Sequence, residues 1–124
     1  MAKFLDDSLY DAAVNVVKNG ATEIYLCTSQ PANRAAAIAA AVASKTGLTS
    51  GSYTGPAAGD VSGRKLTKTA ENGITSTASG SATHIALCSG SLLLAVTTCT
   101  AQSVTSGNTV NIAAYDVEFL DVTP

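Results

Sequence analysis

A chain of 124 residues, 46% hydrophobic and only 13% charged, is long enough for one real core and too short for two ordinary domains, so one domain is predicted over residues 1–124. With a formal net charge of −2 and seven Lys and Arg scattered along the chain, there is no basic face for nucleic acid or an anionic membrane surface. No run reaches the roughly 18 to 20 apolar residues of a membrane span, and the start, MAKFLDDSLYD, meets acids before an apolar signal region could form, which predicts use without export signals.

In chain order, DDSLYDAAVNVVKNG reads as a short helix. Asp6, Asp7 or Ser8 can cap it, Phe4 or Leu5 is placed as a hydrophobic staple, Lys18 lies in the last turn, and Gly20 offers a left-handed terminus. Its expected buried face is Leu9, Ala13, Val16 and Val17. ATEIYLCTSQP then has the composition of a strand, with Ile24 and Leu26 on one face and Tyr25 and Cys27 on the other. Both faces are apolar, which predicts an interior position, with Pro31 closing the run. PANRAAAIAAAVASKTGL is alanine-rich and predicts a second helix ending at Gly47. Its polar face lacks the Lys and Arg row of a membrane-lying helix, so it reads as a packing helix.

From Thr49 onward the Ser, Thr, Gly and β-branched content predicts an all-β region. Thr49 to Arg64 reads as a long loop with Tyr53 as its one large anchor. KLTKT and GITST flank Ala70-Glu71-Asn72-Gly73, where Asn-Gly favours a tight, peripheral hairpin turn. HIALC and LLLAVTT flank Ser89-Gly90-Ser91 in a second, more apolar hairpin. The last segment alternates through Val110 and Ile112, then through Tyr115, Val117 and Phe119, with Asp116 and Glu118 outward; the phase change near Ala113 predicts a bulge. The predicted fold class is therefore α+β: two N-terminal helices packed on one side of a mainly antiparallel β-sheet or small β-sandwich of five or six strands.

ATHIALCSGSLLLAVTTCT holds the only histidine, His84, and two of the three cysteines. In a strand, His84 and Cys88 stand roughly 13 Å apart and cannot share a metal. Across the hairpin, Cys88 is expected opposite Leu92 and Cys99 opposite about Ser81, which rules out a disulfide between them. Cys27 could reach one of them from another strand. The odd count and wide spacing of Cys27, Cys88 and Cys99 predict free thiols. A Cys27, His84 and Asp116 constellation requires neighbouring strands; the alternative is that His84 sits at a strand edge or satisfies a backbone carbonyl. Gly59 to Arg64, GDVSGR, lacks the lysine and strand-to-helix setting of a phosphate loop and reads as a turn into a strand. Asp6 and Asp7 read as cap acids, and Asp116, Glu118 and Asp121 as a solvated face with at most weak calcium affinity. No catalytic, cofactor-binding or metal site is predicted, and no cofactor.

The runs Gly59 to Lys65 (GDVSGRK), Ala82 to Leu87 (ATHIAL), Thr97 to Thr100 (TTCT) and Ser106 to Ile112 (SGNTVNI), together with the N-terminal MAKFLDDSLYDAA, resemble small structural proteins of tailed bacteriophages. The resemblance spans nearly the whole chain, and its motifs are structural. It implies a virion component, most simply a decoration or cement protein bound to the outside of the head, with no catalytic residues carried over. The implied partners are the major capsid protein or other virion proteins and further copies of the chain as a trimer or dimer, with no nucleic acid and no membrane. A tail or head-tail neck position is the alternative, as is a host-surface binding module. A low-charge, small-residue surface suits such close packing. The contacts are expected in the N-terminal segment, the Thr49 to Arg64 loop and an edge strand at Asn108 to Leu120. A small thiol hydrolase using Cys27 or Cys88 is the competing enzymatic reading. For the receptor reading, at least two of Tyr10, Tyr25, Tyr53 and Tyr115 are expected to be buried, which leaves few aromatics for a glycan platform.

Overall fold

The computed structural model describes residues 5–60 and 62–120. Helix α1 runs Asp7–Gly20, and its first turn is capped by Asp6, whose carboxylate accepts the Ser8 N–H at 2.9 Å. Phe4 lies outside the described residues and Leu5 is exposed, so no staple is seen among them. The buried face is Tyr10, Val14 and Val17, whereas Leu9 and Val16 are 56% and 60% exposed. The expected face is thus corrected. Two overlapping stripes fit a 3.6-residue period, and docking selects the one bearing the bulkier tyrosine. The helix ends without a left-handed glycine: Ala21 caps it from an extended conformation, its N–H bonding the Val17 carbonyl.

Strand β1, Glu23–Cys27, is interior as predicted, and the short helix α2, Arg34–Ala40, follows it with Asn33 accepting the Ala36 N–H at 2.8 Å. Arg34 grips Glu23 with two bonds, at 2.9 and 3.0 Å, and so fastens α2 over β1. The predicted long helix stops there, because Ala41–Lys45 forms strand β2 paired with β1. Alanine's helix propensity is a weak preference per residue; pairing β1's free edge while burying Val42 and Ala43 outweighs it. Gly47, at φ +74°, turns the chain after the strand and ends no helix.

The expected Thr49 to Arg64 loop contains a 3₁₀ turn, Ser50–Ser52, and strand β3, Tyr53–Ala58, which pairs with β4, Arg64–Lys68. Tyr53 is the buried anchor foreseen, its hydroxyl donating to the Ala21 carbonyl at 2.8 Å. The expected hairpin around Glu71-Asn72-Gly73 does not form. Those residues begin strand β5, Glu71–Thr75, whose partner is the distant β8, Thr109–Ile112. Gly73 uses its left-handed freedom, at φ +71°, for an irregularity within that pairing, and its N–H reaches the Asn111 side chain at 2.8 Å.

Strands β6, Gly80–Cys88, and β7, Leu93–Val104, form the predicted hairpin, and Ser89 stabilises its turn by accepting the Leu92 N–H at 2.9 Å. Two register shifts place extra residues in β7. Cys88 therefore faces Leu93 instead of Leu92, and Cys99 falls within the shift beside the His84–Thr98 pair instead of opposite Ser81, which faces Ser103. At Ala113 the chain makes a larger break than a bulge: β9, Tyr115–Phe119, leaves β8 and joins the far side of β4.

The resulting sheets are β2-β1-β6-β7, β3-β4-β9 and the pair β5-β8, all antiparallel. The described residues thus hold nine strands where five or six were expected, because short strands separated by glycine turns read as loop. The broad α+β class holds. One face of the four-stranded sheet, Tyr25, Cys27, Ala86 and Cys88, packs with Ala37 of α2. Its opposite face, with Ile24, Leu26, Ile85 and Leu87, shares the main core with Val14 and Val17 of α1, Leu66 of β4 and Ile74, Val110 and Ile112 of the β5-β8 pair. The two helices therefore do not share one packing surface as predicted. A helix as short as α2 can cover β1 closely because the facing residues are alanines.

Candidate functional site

The reactive residues of the sequence are brought only partly together. Cys27 and His84 are register partners across β1 and β6, but Asp116 lies on β9 in another sheet, where its carboxylate accepts the Thr67 hydroxyl at 2.7 Å and faces Lys65 at 3.4 Å. The Cys27 thiol points to the Ala37 carbonyl at 3.5 Å, and burial pushes its pKa up to about 11. Burial also raises the thiols of Cys88 and Cys99. All three are free, and none is poised as a thiolate. His84 Nδ1 lies 2.8 Å from the Thr83 hydroxyl, which itself donates to the Thr28 carbonyl at 3.0 Å; that assigns the ring proton to Nδ1, donating to Thr83. The ring is thereby tied to its neighbouring threonine on an interior strand, where His84 has Cys27 as register partner on one side and Thr98 on the other. With a thiol reagent at neutral pH, the folded protein should react slowly at half-buried Cys99, and Cys27 and Cys88 should react only after denaturant is added. Fast labelling of Cys27 in the folded state would contradict this arrangement.

GDVSGR forms the turn between β3 and β4, closed by the Gly59 N–H to the Gly63 carbonyl at 3.0 Å, with Val61 outside the described residues. Arg64 is held by Asp11 at 2.7 Å and Lys65 by Asp60 at 2.7 Å, so the cations of this segment face carboxylates. Asp116 and Glu118 are not a bare solvated face. Glu118 accepts the Asp60 N–H, and Asp116 has the partners given above; Asp121 lies outside the described residues. Among the described residues, no group of three or more His, Cys, Asp or Glu is placed to hold a metal. Tyr10, Tyr25 and Tyr53 are buried and Tyr115 is half-buried, so the tyrosines form no exposed aromatic platform.

Sequence reading missed two features. The first is a buried charge cluster: Lys68 is 0% exposed, its ammonium bonded to Glu71 at 2.9 Å and the Thr69 carbonyl at 2.8 Å and lying 5.6 Å from the centre of the Tyr53 ring. Glu71 also meets Lys45 of β2 at 2.6 Å. The only signal was the i, i+3 spacing of Lys68 and Glu71, which was read as a peripheral turn. Its location in the core, with every partner engaged, makes it a structural joint between three strands.

The second is a groove between the outer edges of β7 and β9. A cavity of about 190 Å³ is lined by Ala95 to Thr97 on one side and Tyr115 to Glu118 on the other. A second, of about 320 Å³, continues along Thr97 to Thr100 and Gln102, facing Asn111 to Asp116. Beneath it, the Tyr115 hydroxyl is the one buried side-chain polar atom among the described residues without a hydrogen-bond partner, and burial raises its pKa strongly, with Tyr53 adding to the effect. Tyr115→Phe should therefore leave thermal stability unchanged or raise it by up to about 1 kcal/mol, since an unpaired buried hydroxyl costs free energy; a loss on calorimetry would mean that the hydroxyl is bonded.

On the outer surface, α1 leaves Leu9 and Val16 exposed beside its core face, and Leu5, just before the helix, is exposed as well. The chain matches no family model, no curated protein and no solved structure.

Proposed function

We propose that the chain is a structural component of a tailed-bacteriophage virion, a decoration or cement protein that binds the outside of the head and stabilises it. The observation that carries this reading is the exposed apolar pair Leu9 and Val16 on α1, with exposed Leu5 just before it, within the N-terminal segment that the resemblance marks as a contact region. Apolar side chains grouped on one helix face favour association when a partner covers them. Many weak contacts of this kind, repeated over a shell, add up through high local concentration. The reactive residues support a non-enzymatic role, since the thiols are held neutral and His84 is tied to its neighbouring threonine.

The test is co-sedimentation of the purified protein with empty capsids of its own phage, reading mass per particle and the resistance of the shell to heat. Stoichiometric binding that is lost in Leu9→Glu/Val16→Glu, while that variant keeps its folded spectrum, is the expected result. Failure of the unaltered protein to bind heads would overturn the head assignment; binding to purified tails or necks instead would move the protein there.

A further inference from the structure

We propose that the groove between β7 and β9 is a strand-addition site that takes an extended segment of another protein, uncharged along β7 and carrying lysine or arginine where it passes Asp116 and Glu118. Among the described residues, β7 has a hydrogen-bonded neighbour only in β6, and β9 one only in β4. The β7 and β9 edges thus line two adjoining cavities that share Thr97, Tyr115 and Asp116, the larger of them also bounded by Leu26 of β1 and Ile85 of β6. An inserted strand needs about 4.8 Å to each neighbour and would find backbone donors and acceptors on both sides. The β7 wall alone, from Ala95 to Gln102, offers about 26 Å of edge at 3.3 Å per residue.

The composition of the edge points the same way. Proteins usually protect a free edge with lysine, proline or a short strand, because an open one recruits other chains. Strand β7 is 12 residues long, and its sequence LLAVTTCTAQSV contains no charge and no proline. The opposite wall is acidic. Among the described residues, the only charged side chains lining the groove are Asp116 and Glu118, and the Lys65 ammonium is shared between Asp60 and Asp116 at 2.7 and 3.4 Å. Two carboxylates share that one ammonium, and Glu118, whose carboxylate accepts the Asp60 N–H, adds a further negative charge, so this end of the groove favours a basic residue on the incoming strand. A second copy of the chain fits less well: its corresponding free edges are the same uncharged β7 and the same acidic β9, so pairing β9 with β9 would set acid against acid. The proposal does not depend on the virion assignment.

The test uses the isotope-labelled full chain and three synthetic nonapeptides: alternating threonine and valine with a lysine at each end, the same peptide with glutamates in place of the lysines, and the lysine peptide N-methylated at alternate amides. The lysine peptide should shift and protect from exchange the backbone amides of residues 95–102 and 115–118. The glutamate peptide should bind at least about tenfold more weakly, a difference of about 1.4 kcal/mol, and the Asp116→Asn/Glu118→Gln variant should abolish that preference. The N-methylated peptide should not bind, because it cannot complete the ladder on both sides. Absence of shifts with the lysine peptide, or equal shifts with the N-methylated one, overturns the proposal. Self-association that protects these same amides without any peptide overturns it too, and assigns the groove to a second copy.

Discussion

Glu71→Ala should lower folding stability by about 3 to 5 kcal/mol, the cost of leaving a buried charge without its counter-ion. Against a typical total of about 5 to 15 kcal/mol, that is enough to leave the protein marginal. Lys68 has no exposed surface, and Glu71 is the one anion bonded to its ammonium; after the substitution only the Thr69 carbonyl and the Tyr53 ring would remain. Lys45, by contrast, is 48% exposed and can turn to water, so Lys45→Ala should cost no more than about 1 kcal/mol. Combining Lys68→Met with Glu71→Leu should recover most of the loss, because an apolar pair of similar volume needs no desolvation of charge. Urea unfolding of the three variants beside the unaltered protein measures this directly. Equal losses for Glu71→Ala and Lys45→Ala would show that Lys68 is not dependent on its carboxylate.

The same cluster sets a pH dependence. Burial alone would raise the Glu71 pKa, but the bonds from Lys45 and Lys68 together outweigh it and hold the folded-state value below the model-compound 4.5. A carboxyl depressed on folding contributes stability that is fully present above its unfolded pKa and is lost as pH falls through the folded value. The urea midpoint should therefore be flat near neutrality and drop from about pH 4 downward. Glu71→Gln should flatten part of that drop. A midpoint just as acid-sensitive in Glu71→Gln would place the responsible carboxylates elsewhere.

Leu66→Ala is the second large effect expected, at about 2 to 5 kcal/mol for a truncated core leucine. Leu66 is 0% exposed at the centre of β4, opposite Val117 of β9, and shares the main core with residues from α1 and all three sheets. Because those elements converge on it from different directions, none can close the cavity without moving away from its own sheet. Leu9→Ala, on the exposed side of α1, should change stability by no more than about 0.5 kcal/mol while, under the proposed decoration role, weakening capsid binding. The pair separates folding from assembly. Comparable stability losses for both variants would mean that Leu9 is covered in the free protein and would remove the Leu9 and Val16 pair as a contact surface.

Some of this architecture was legible from residues alone. The Asp6 cap, the interior strand with Ile24 and Leu26 against Tyr25 and Cys27, the hairpin at Ser89 to Ser91 and the buried Val110 and Ile112 all follow from signals carried by a few adjacent residues: a side chain able to reach a nearby N–H, or a period of two. The candidate site was less legible. Cys27 and His84 could be named as residues, but their pairing depends on β1 lying beside β6, and neither sheet edge of the groove has a sequence signature that says where its pairing stops.

By itself, then, the sequence determined a mixed α and β chain, an all-β second half and some of the places where it turns, the Ser89 to Ser91 hairpin among them. Local propensity and short-range hydrogen bonding suffice for those. Only the tertiary structure decided that Ala41 to Lys45 would be a strand, that Glu71 would pair across the chain with Ile112 instead of turning back, that α1 would bury Tyr10 and expose Leu9, and that β7 and β9 would face each other across a gap. In each case two local conformations were close in free energy. The partner strand or core face, brought from far along the chain, supplied the burial and hydrogen bonds that separated them.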